Sequence, residues 1–311
     1  MLSLVCVTNR PGGLDVLESG LLGQTDKAFE LVLVDALYPY RKRMAFDPSL
    51  SVKWLDGNAA ADFRSNYMTA QNMGIEHAAG ETVAFICDYT FARPDFVATH
   101  AAAQAAHPGP FTTDYDYVSL PAIKPGLPHY RETIPGTREN AEEYSRQTHA
   151  IAKRFRADLD SGALDGYLWS IFEKPFTADA LSSLPVEHRH RPSGADLSTD
   201  WNHGSLKGES VPTELLLDMN GLDEEFNASH GWQDQEFSYR LRARGIPWRS
   251  GKPGEGMLSV VNPRGILNIK TLARPLFSNQ ELCFNSRRAE LHLPVNPGFS
   301  LRDRRKARLG L

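Results

Sequence analysis

No stretch of this chain reaches the ~20 consecutive apolar residues that a membrane-spanning helix needs. Cysteine is scarce. Cys6, Cys87 and Cys283 have no paired spacing, which excludes a disulfide framework and a zinc knuckle and points to a reducing compartment. Positive charge is not in excess; a net charge of -4 argues against a nucleic-acid binder, which is usually basic. The opening MLSLVCVTNRPGG has no basic lead-in, so it reads as a first strand and not as a signal peptide. The expected location is cytoplasmic. No Gly-x-Gly-x-x-Gly follows that strand and no Gly-Lys-Ser/Thr loop occurs, which excludes nicotinamide-type and P-loop phosphate binding. Internal repeats are also missing. What is left is an ordinary globular composition: 311 residues, 41% hydrophobic and 23% charged, room for one large α/β domain or two ordinary ones.

The first hundred residues alternate. Leu2–Thr8 is an apolar, β-branched run expected to be a buried strand, and Asn9 to Gly13 is a loop by composition. Leu14 to Gly23 has helical spacing, Phe29–Val34 is a second strand ending at Asp35, and Ser51–Leu55 is a short third. Asn66 to Ala79 reads as a helix with small residues on one face, and Thr82–Cys87 as a fourth strand ending at Asp88. Such alternation predicts a mostly parallel sheet with helices on both faces, and ligands at the carboxyl ends of its strands. Thr8-Asn9, Asp35 and Asp88 all fall at such ends. Further on, Ala98–His107 and Glu139–Asp160 have helical character, Tyr117–Pro121 reads as a strand, and Pro185–Ser198 is a loop rich in His and Arg. Val211–Met219 reads as a helix, and Trp248–Gly256 and Met257–Pro263 as returns to the sheet. The terminal Arg302 to Arg308 (RDRRKAR) holds five basic residues and one acid. It reads as a solvated, frayed end, with peripheral contact to anionic lipid or an acidic partner as the alternative.

The segment Asn220 to Gly245, NGLDEEFNASHGWQDQEFSYRLRARG, gathers acids, amides and aromatics ahead of a helix starting near Gln233. Phe237 and Leu241 share its buried face, Arg240, Arg242 and Arg244 are expected to point outward, and Gly245 and Pro247 stop it. Asp234 falls in the first turn, where unpaired N–H groups favour an ionised carboxylate. Such a carboxylate either satisfies the helix start or accepts a proton from a bound hydroxyl. Asp88 can hold Mg²⁺ or Mn²⁺, which take oxygen ligands and need few carboxylates beside substrate phosphates. Asp114-Tyr115-Asp116 offers two acids but follows no apolar strand, and His188 and His190 lie in the Arg-rich loop as surface residues.

The order strand, TNRP, helix and FELVLVD, then QNMGIEHAAGETVAFICDY, then NGLDEEF…GWQDQEFSYRLRARG resembles the family 2 glycosyltransferases. The match covers residues 1–96 and 205–250. The resemblance implies a GT-A fold over 1–265, with a nucleotide-sugar half at 1–96, an acceptor half at 200–265 and a C-terminal extension at 266–311. It implies an inverting hexosyltransferase of polysaccharide or glycan biosynthesis. The donor would be a UDP- or GDP-linked sugar, and the acceptor a saccharide, a lipid-linked glycan or a protein. Position by position, Thr8, Asn9 and Asp35 match nucleotide-contacting residues, and Gln71-Asn72 matches a helix pair often written Arg-Asn. Cys87-Asp88-Tyr89 matches an Asp-rich metal motif and keeps only its middle acid. Asp234, after Gln233, matches the aspartate that serves as general base. Cys87 and Tyr89 replace acids, Gln233 replaces a glutamate, and Ser259 or Asn262 stands where a metal-binding histidine is often found. Arg10, Arg41 and Lys42 lie near the nucleotide edge, where they can assist a leaving diphosphate. Trp201 and Trp232 flank the acceptor side, with Asn202, Ser205 and Glu236 to orient its hydroxyls. Two rival readings are a non-catalytic nucleotide-sugar or glycan binder on the same fold, and a nucleotidyltransferase.

Overall fold

The near-continuous apolar runs Leu2–Thr8 (β1) and Phe29–Asp35 (β2) become the centre of a sheet covered on both faces, as such runs must. The computed structural model describes residues 1–57, 67–130, 139–174, 176–190, 206–228, 233–252, 254, 256–260 and 295–311. With β1 and β2 come α1 (Leu14–Leu22), α2 (Tyr38–Arg41), β3 (Val52–Asp56), α3 (Tyr67–His77), β4 (Thr82–Cys87) and β5 (Thr90–Ala92). The middle holds α4 (Phe96–Ala106), β6 (Phe111–Thr112), β7 (Tyr115–Val118), α5 (Ala141–Asp160), α6 (Ala178–Ser182) and β8 (Val186–His190). The rest is β9 (Glu209–Pro212), α7 (Thr213–Asp218), α8 (Gln233–Ala243), β10 (Arg249–Ser250), β11 (Met257–Val260) and α9 (Leu301–Leu309).

The fold class is the expected one: α/β, with a mostly parallel central sheet flanked by helices. Its seven strands run β10-β6-β9-β4-β1-β2-β3, all in one direction except β9, which is antiparallel to β4 and β6. Alternation sends Leu4, Cys6 and Leu33 to one face, against Leu14, Leu17 and Leu21 of α1 and Phe96 of α4. Val5, Val32, Val83 and Phe85 face the other way, against α3, α7, α8 and α9. Fully burying each such side chain contributes roughly 1.5–3 kcal/mol. Gly74 lets α3 sit directly on β1: a Cβ there would lie 2.4 Å from Val5 Cγ1.

A second sheet, β5-β11-β7-β8, was not foreseen. Its edge strand β8 lies in the segment expected to be a loop, pairing Tyr117 with His188 and leaving the His188 side chain exposed. The helix expected from Val211 starts only at Thr213, because Val211 and Pro212 belong to β9. Arg240 also departs from expectation: it is buried and paired with Glu236.

The C-terminal helix corrects the picture of a frayed end. Leu301 is fully buried in the core cluster under the sheet. Arg302 pairs with Glu214 (2.6 Å) and Asp218 (2.8 Å), Arg304 with Glu76 (3.3 Å), and Arg305 donates to the Ala78 carbonyl. Residues 295–311, the described part of the expected 266–311 extension, therefore dock on α3 and α7. Among the described residues no helix is long and apolar enough to cross a membrane. Leu301→Ala should lower the unfolding free energy in urea by about 2–4 kcal/mol. A loss below about 0.5 kcal/mol, typical of surface changes, would contradict the docking.

Candidate functional site

Parallel register brings the strand ends together. Thr8 pairs with Asp35, Asp35 with Asp56, and Val7 with Cys87, so the residues that follow β1, β2, β3 and β4 share one edge. Asn9 is exposed there. Asp88, almost fully buried, accepts from the Thr8 hydroxyl (2.7 Å) and from Arg10 Nε (3.2 Å) on Oδ2, while Arg10 Nη2 bonds Oδ1. The Arg10 guanidinium also lies over the Tyr89 ring, 5.0 Å from its centre.

The loop that carries Arg10 is shaped by Tyr89 and Arg41. Tyr89 has a left-handed backbone (φ 56), is buried, and donates its hydroxyl to the Pro11 carbonyl. Gly13 (φ 76) packs on its ring, and a Cβ there would lie 2.5 Å from Tyr89 Cδ2. Only glycine tolerates both that backbone and that approach. Arg41, without exposed surface, donates to Asp35 (3.0 Å), to the Leu168 carbonyl (2.9 Å) and to the carbonyls of Arg10 and Gly12. Asp35 accepts further bonds from the Leu37 N–H (2.7 Å) and Trp54 Nε1 (3.1 Å). Lys42 is exposed.

The resemblance implies a divalent cation on Asp88, and the donors among the described residues do not suit one. Both Asp88 oxygens already accept from Thr8 and Arg10. Its neighbours are a thiol and a buried phenol, whereas Mg²⁺ and Mn²⁺ take oxygen ligands. Among the described residues no three His, Cys, Asp or Glu side chains gather into a metal-holding group. The other acidic pair serves the fold: Asp114 accepts from the N–H groups of Gly254 (2.8 Å) and Gly256 (3.0 Å), and Asp116 pairs with Arg93 (3.2 Å).

Asp234 comes from the other half of the chain. The segment before α8 is tied to α3: Asn227 Oδ1 accepts from the Met68 and Thr69 N–H groups, and Thr69 Oγ1 donates to Glu224 (2.8 Å). Asn72 bonds the Leu222 N–H and carbonyl and Glu224 Oε1. Glu236 grips Arg240 (2.5 Å), which also donates to the carbonyls of Met219 and Gly221. Asp234 then sits half-buried in the first turn of α8, where burial raises its carboxyl pKa to about 6, partly offset by its own and the Gln235 N–H groups.

Tyr67 links the two halves. Its side chain is 37% exposed along the ring, while its hydroxyl accepts from Gln71 Nε2 (2.8 Å); desolvation at that hydroxyl, the Cys87 and Cys6 thiols and the Asp234 carboxyl push the phenol above the ordinary range, against the Gln71 bond. Its hydroxyl is therefore within electrostatic reach of both the end of β4 and the start of α8. Gln71 Oε1, Gln233 Oε1 and Gln235 Oε1 are buried with no hydrogen-bond partner among the described residues. Buried acceptors of this kind are few in native proteins, and water or a ligand usually satisfies them.

The structure thus gathers Thr8, Asn9, Arg10, Asp35 and Asp88 on one edge, while Gln71 bonds Tyr67 and Asp234 opens α8. Four residues expected at the ligand also make bonds within the fold. Tyr89 is a core ring that shapes the first loop, Asn72 clamps the segment ahead of α8, and Glu236 is spent on Arg240. Asp35, too, has its carboxylate filled by Arg41, Leu37 and Trp54. Trp201, Asn202, Ser205, Trp232 and Asn262 lie outside the described residues. Tyr67 was missed by sequence reasoning; it stands in no recognisable motif.

No family model matches this chain, and no curated protein does. Solved structures similar to it include residues 1-349 of Staphylococcus aureus TarS in complex with UDP-GlcNAc, at 13% identity and a TM-score of 0.47, covering 84% of this chain and 58% of that one. The longer S. aureus TarS structure gives 13% identity and 0.46, over 97% of this chain and 41% of that one. The TarS 1-349 complex with UDP gives 14% and 0.42, over 84% and 61%. The chain spans less than two thirds of each of these structures.

Titration of Asp234 carries a stability signature. Its folded pKa of about 6 exceeds the ordinary 3.8, so the stability linked to its protonated form is full below the unfolded value and lost as pH rises through 6. Asp234→Asn should therefore melt higher than the native protein at pH 8 and level with it at pH 3.5. Equal midpoints at both pH values would remove the desolvated carboxyl from the account.

Proposed function

We propose that this chain is a glycosyltransferase that moves a sugar from a nucleoside-diphosphate donor to an acceptor hydroxyl, by inversion, with Asp234 as general base. The observation that carries the reading is Asp234, half-buried in the first turn of α8, its carboxyl raised by burial to about 6. A base poised near the working pH combines a populated ionised form with a useful driving force for proton transfer. Ligands of open α/β sheets bind outside the carboxyl ends of the strands, which is where Asn9 and Arg10 stand.

In the step itself, an acceptor oxygen attacks the anomeric carbon while its proton passes to an Asp234 carboxylate oxygen. The new C–O bond forms as the bond from that carbon to the phosphate oxygen breaks, and the electron pair leaves with the nucleoside diphosphate. Gln71 Oε1, buried without a partner among the described residues, and the Tyr67 hydroxyl it neighbours can hold donor or acceptor hydroxyls. UDP- and GDP-linked sugars are the donors to try, with saccharides, lipid-linked glycans and proteins as acceptors. A second reading, a nucleotide-sugar binder without turnover, is favoured by the way Arg10 closes over Asp88. Release of nucleoside diphosphate separates the two.

A panel of UDP- and GDP-sugars with mixed acceptors should give diphosphate release with an acid limb near pH 6, matching the Asp234 carboxyl. Asp234→Asn should cut turnover by at least ~100-fold. Donor binding should persist, read as a rise in melting temperature from ligand bound only to the folded state. Unchanged turnover in Asp234→Asn, or an acid limb near pH 4, would sink the assignment.

A further inference from the structure

A tyrosine at a protein surface commonly buries its ring and leaves its hydroxyl in water. Tyr67, the first residue of α3, is set the other way round. It is 37% exposed, and among the described residues no other aromatic side chain is as open. Its hydroxyl accepts from Gln71 Nε2 (2.8 Å), an amide on a side chain without exposed surface. The polar tip is therefore turned into the protein, and the ring is left to face out.

The ring is also fixed. Residues four apart share one face of a helix, so Gln71 holds the hydroxyl one turn along α3. The backbone next to Tyr67 is held by Asn227 Oδ1, which accepts from the N–H groups of Met68 (2.8 Å) and Thr69 (3.3 Å). A ring pinned in this way has little rotamer freedom left to lose when a partner stacks on it, which lowers the cost of binding.

The neighbours point to the partner. Gln71 Oε1, and Gln233 Oε1 at the start of α8, are buried acceptors with no hydrogen-bond partner among the described residues. The Asn227 bonds tie the segment ahead of α8 to the start of α3, and the Tyr67 hydroxyl feels the Asp234 carboxyl. A pyranose supplies what this corner lacks: a face of C–H groups for an aromatic ring, and a rim of hydroxyls to donate to amide oxygens. A serine or threonine side chain brings a hydroxyl and no such face. A nucleobase brings a flat face, but no hydroxyl for Asp234 to deprotonate.

We propose that the Tyr67 ring is the platform for the acceptor, and that the acceptor is a saccharide stacked on it by the C–H face of a pyranose. The proposal rests on the transferase reading above and narrows its acceptor class from any hydroxyl to that of a sugar. Tyr67 positions the sugar, and Asp234 takes the proton.

Saturation-transfer NMR with cellobiose, maltose and chitobiose tests it, with glycerol as a control that has hydroxyls and no ring. Irradiating the aromatic protons of the native protein should mark the C–H protons on one face of at least one disaccharide, and leave glycerol unmarked. Tyr67→Phe and Tyr67→Leu both remove the hydroxyl, so the difference between them isolates the ring. Tyr67→Phe should keep the affinity for that disaccharide within about threefold, and Tyr67→Leu should weaken it by about tenfold. Calorimetry should find UDP and GDP binding to both variants within about twofold of the native protein. If Tyr67→Leu fails to fold by circular dichroism, the one-sided marking of the native complex decides alone. No disaccharide bound, equal affinities in the two variants, or marking spread over both sugar faces overturns the platform and leaves the donor reading intact. A Tyr67→Leu loss confined to UDP or GDP gives the ring to the nucleobase and overturns it likewise. Binding of neither nucleotide to the native protein overturns the donor reading, while a ring-dependent disaccharide keeps the platform.

Discussion

Arg41 carries a positive charge into a space where its side chain meets no water, and four oxygens from three parts of the chain receive it. Asp35 supplies the counter-charge, while the carbonyls of Arg10, Gly12 and Leu168 fill the other donors. Removing one partner of a buried pair typically costs about 3–5 kcal/mol, because the other charge is left without compensation. Here more than stability is at stake. Arg41 fixes the backbone of the loop after β1, that loop aims Arg10 at Asp88, and Tyr89 and Gly13 close the loop from beneath. Asp35, the acid expected to touch a nucleotide, holds the arginine that holds the loop.

The second half of the site is positioned by amides. Asn220 and Asn296, both left-handed (φ 55 and 51), bind each other's strands of chain. Asn220 Nδ2 donates to the carbonyls of Val295, Asn296 and Phe299, and Asn296 Nδ2 donates to those of Asn220 and Leu222. Asparagine tolerates that backbone better than most residues and spends its side chain on local carbonyls. With Asn72 and Asn227 they weld residues 220–228 to α3 and to the C-terminal helix. Asp234 follows on a rigid element, supported by packing, which is how a functional group is held to sub-ångström tolerance.

What could be read from the residues follows from where burial is two-sided. β1, β2 and β4 are apolar runs because both faces are covered, and their strand ends were placed correctly from that alone. β9 was hidden because its buried residues are polar. Glu209 and Ser210 sit in the middle of the sheet, and Ser210 is satisfied by His100 (2.8 Å) and Gln104 (3.0 Å) of α4. Burial lowers the His100 pKa to about 3, so the ring is a neutral partner. β8 was hidden as a charged edge strand, and charged edges are how sheets avoid pairing with strangers. The basic tail was legible as charge and not as contact, since its acids, Glu76, Glu214 and Asp218, are scattered through the chain. Asp234 was legible from its place in a helix start, whereas Asn72 and Glu236 looked like ligand contacts because amides and acids near a site serve binding and bracing alike.

Asp234, raised by burial to about 6, is the group on which the proposed proton transfer depends. Carbon-13 NMR of aspartate-labelled protein, with Asp234→Asn to assign the signal, reads that carboxyl directly. The account predicts a midpoint near pH 6 that moves upward when UDP or GDP binds, because a nearby anion disfavours the carboxylate. A midpoint near 4 that neither nucleotide shifts would contradict it.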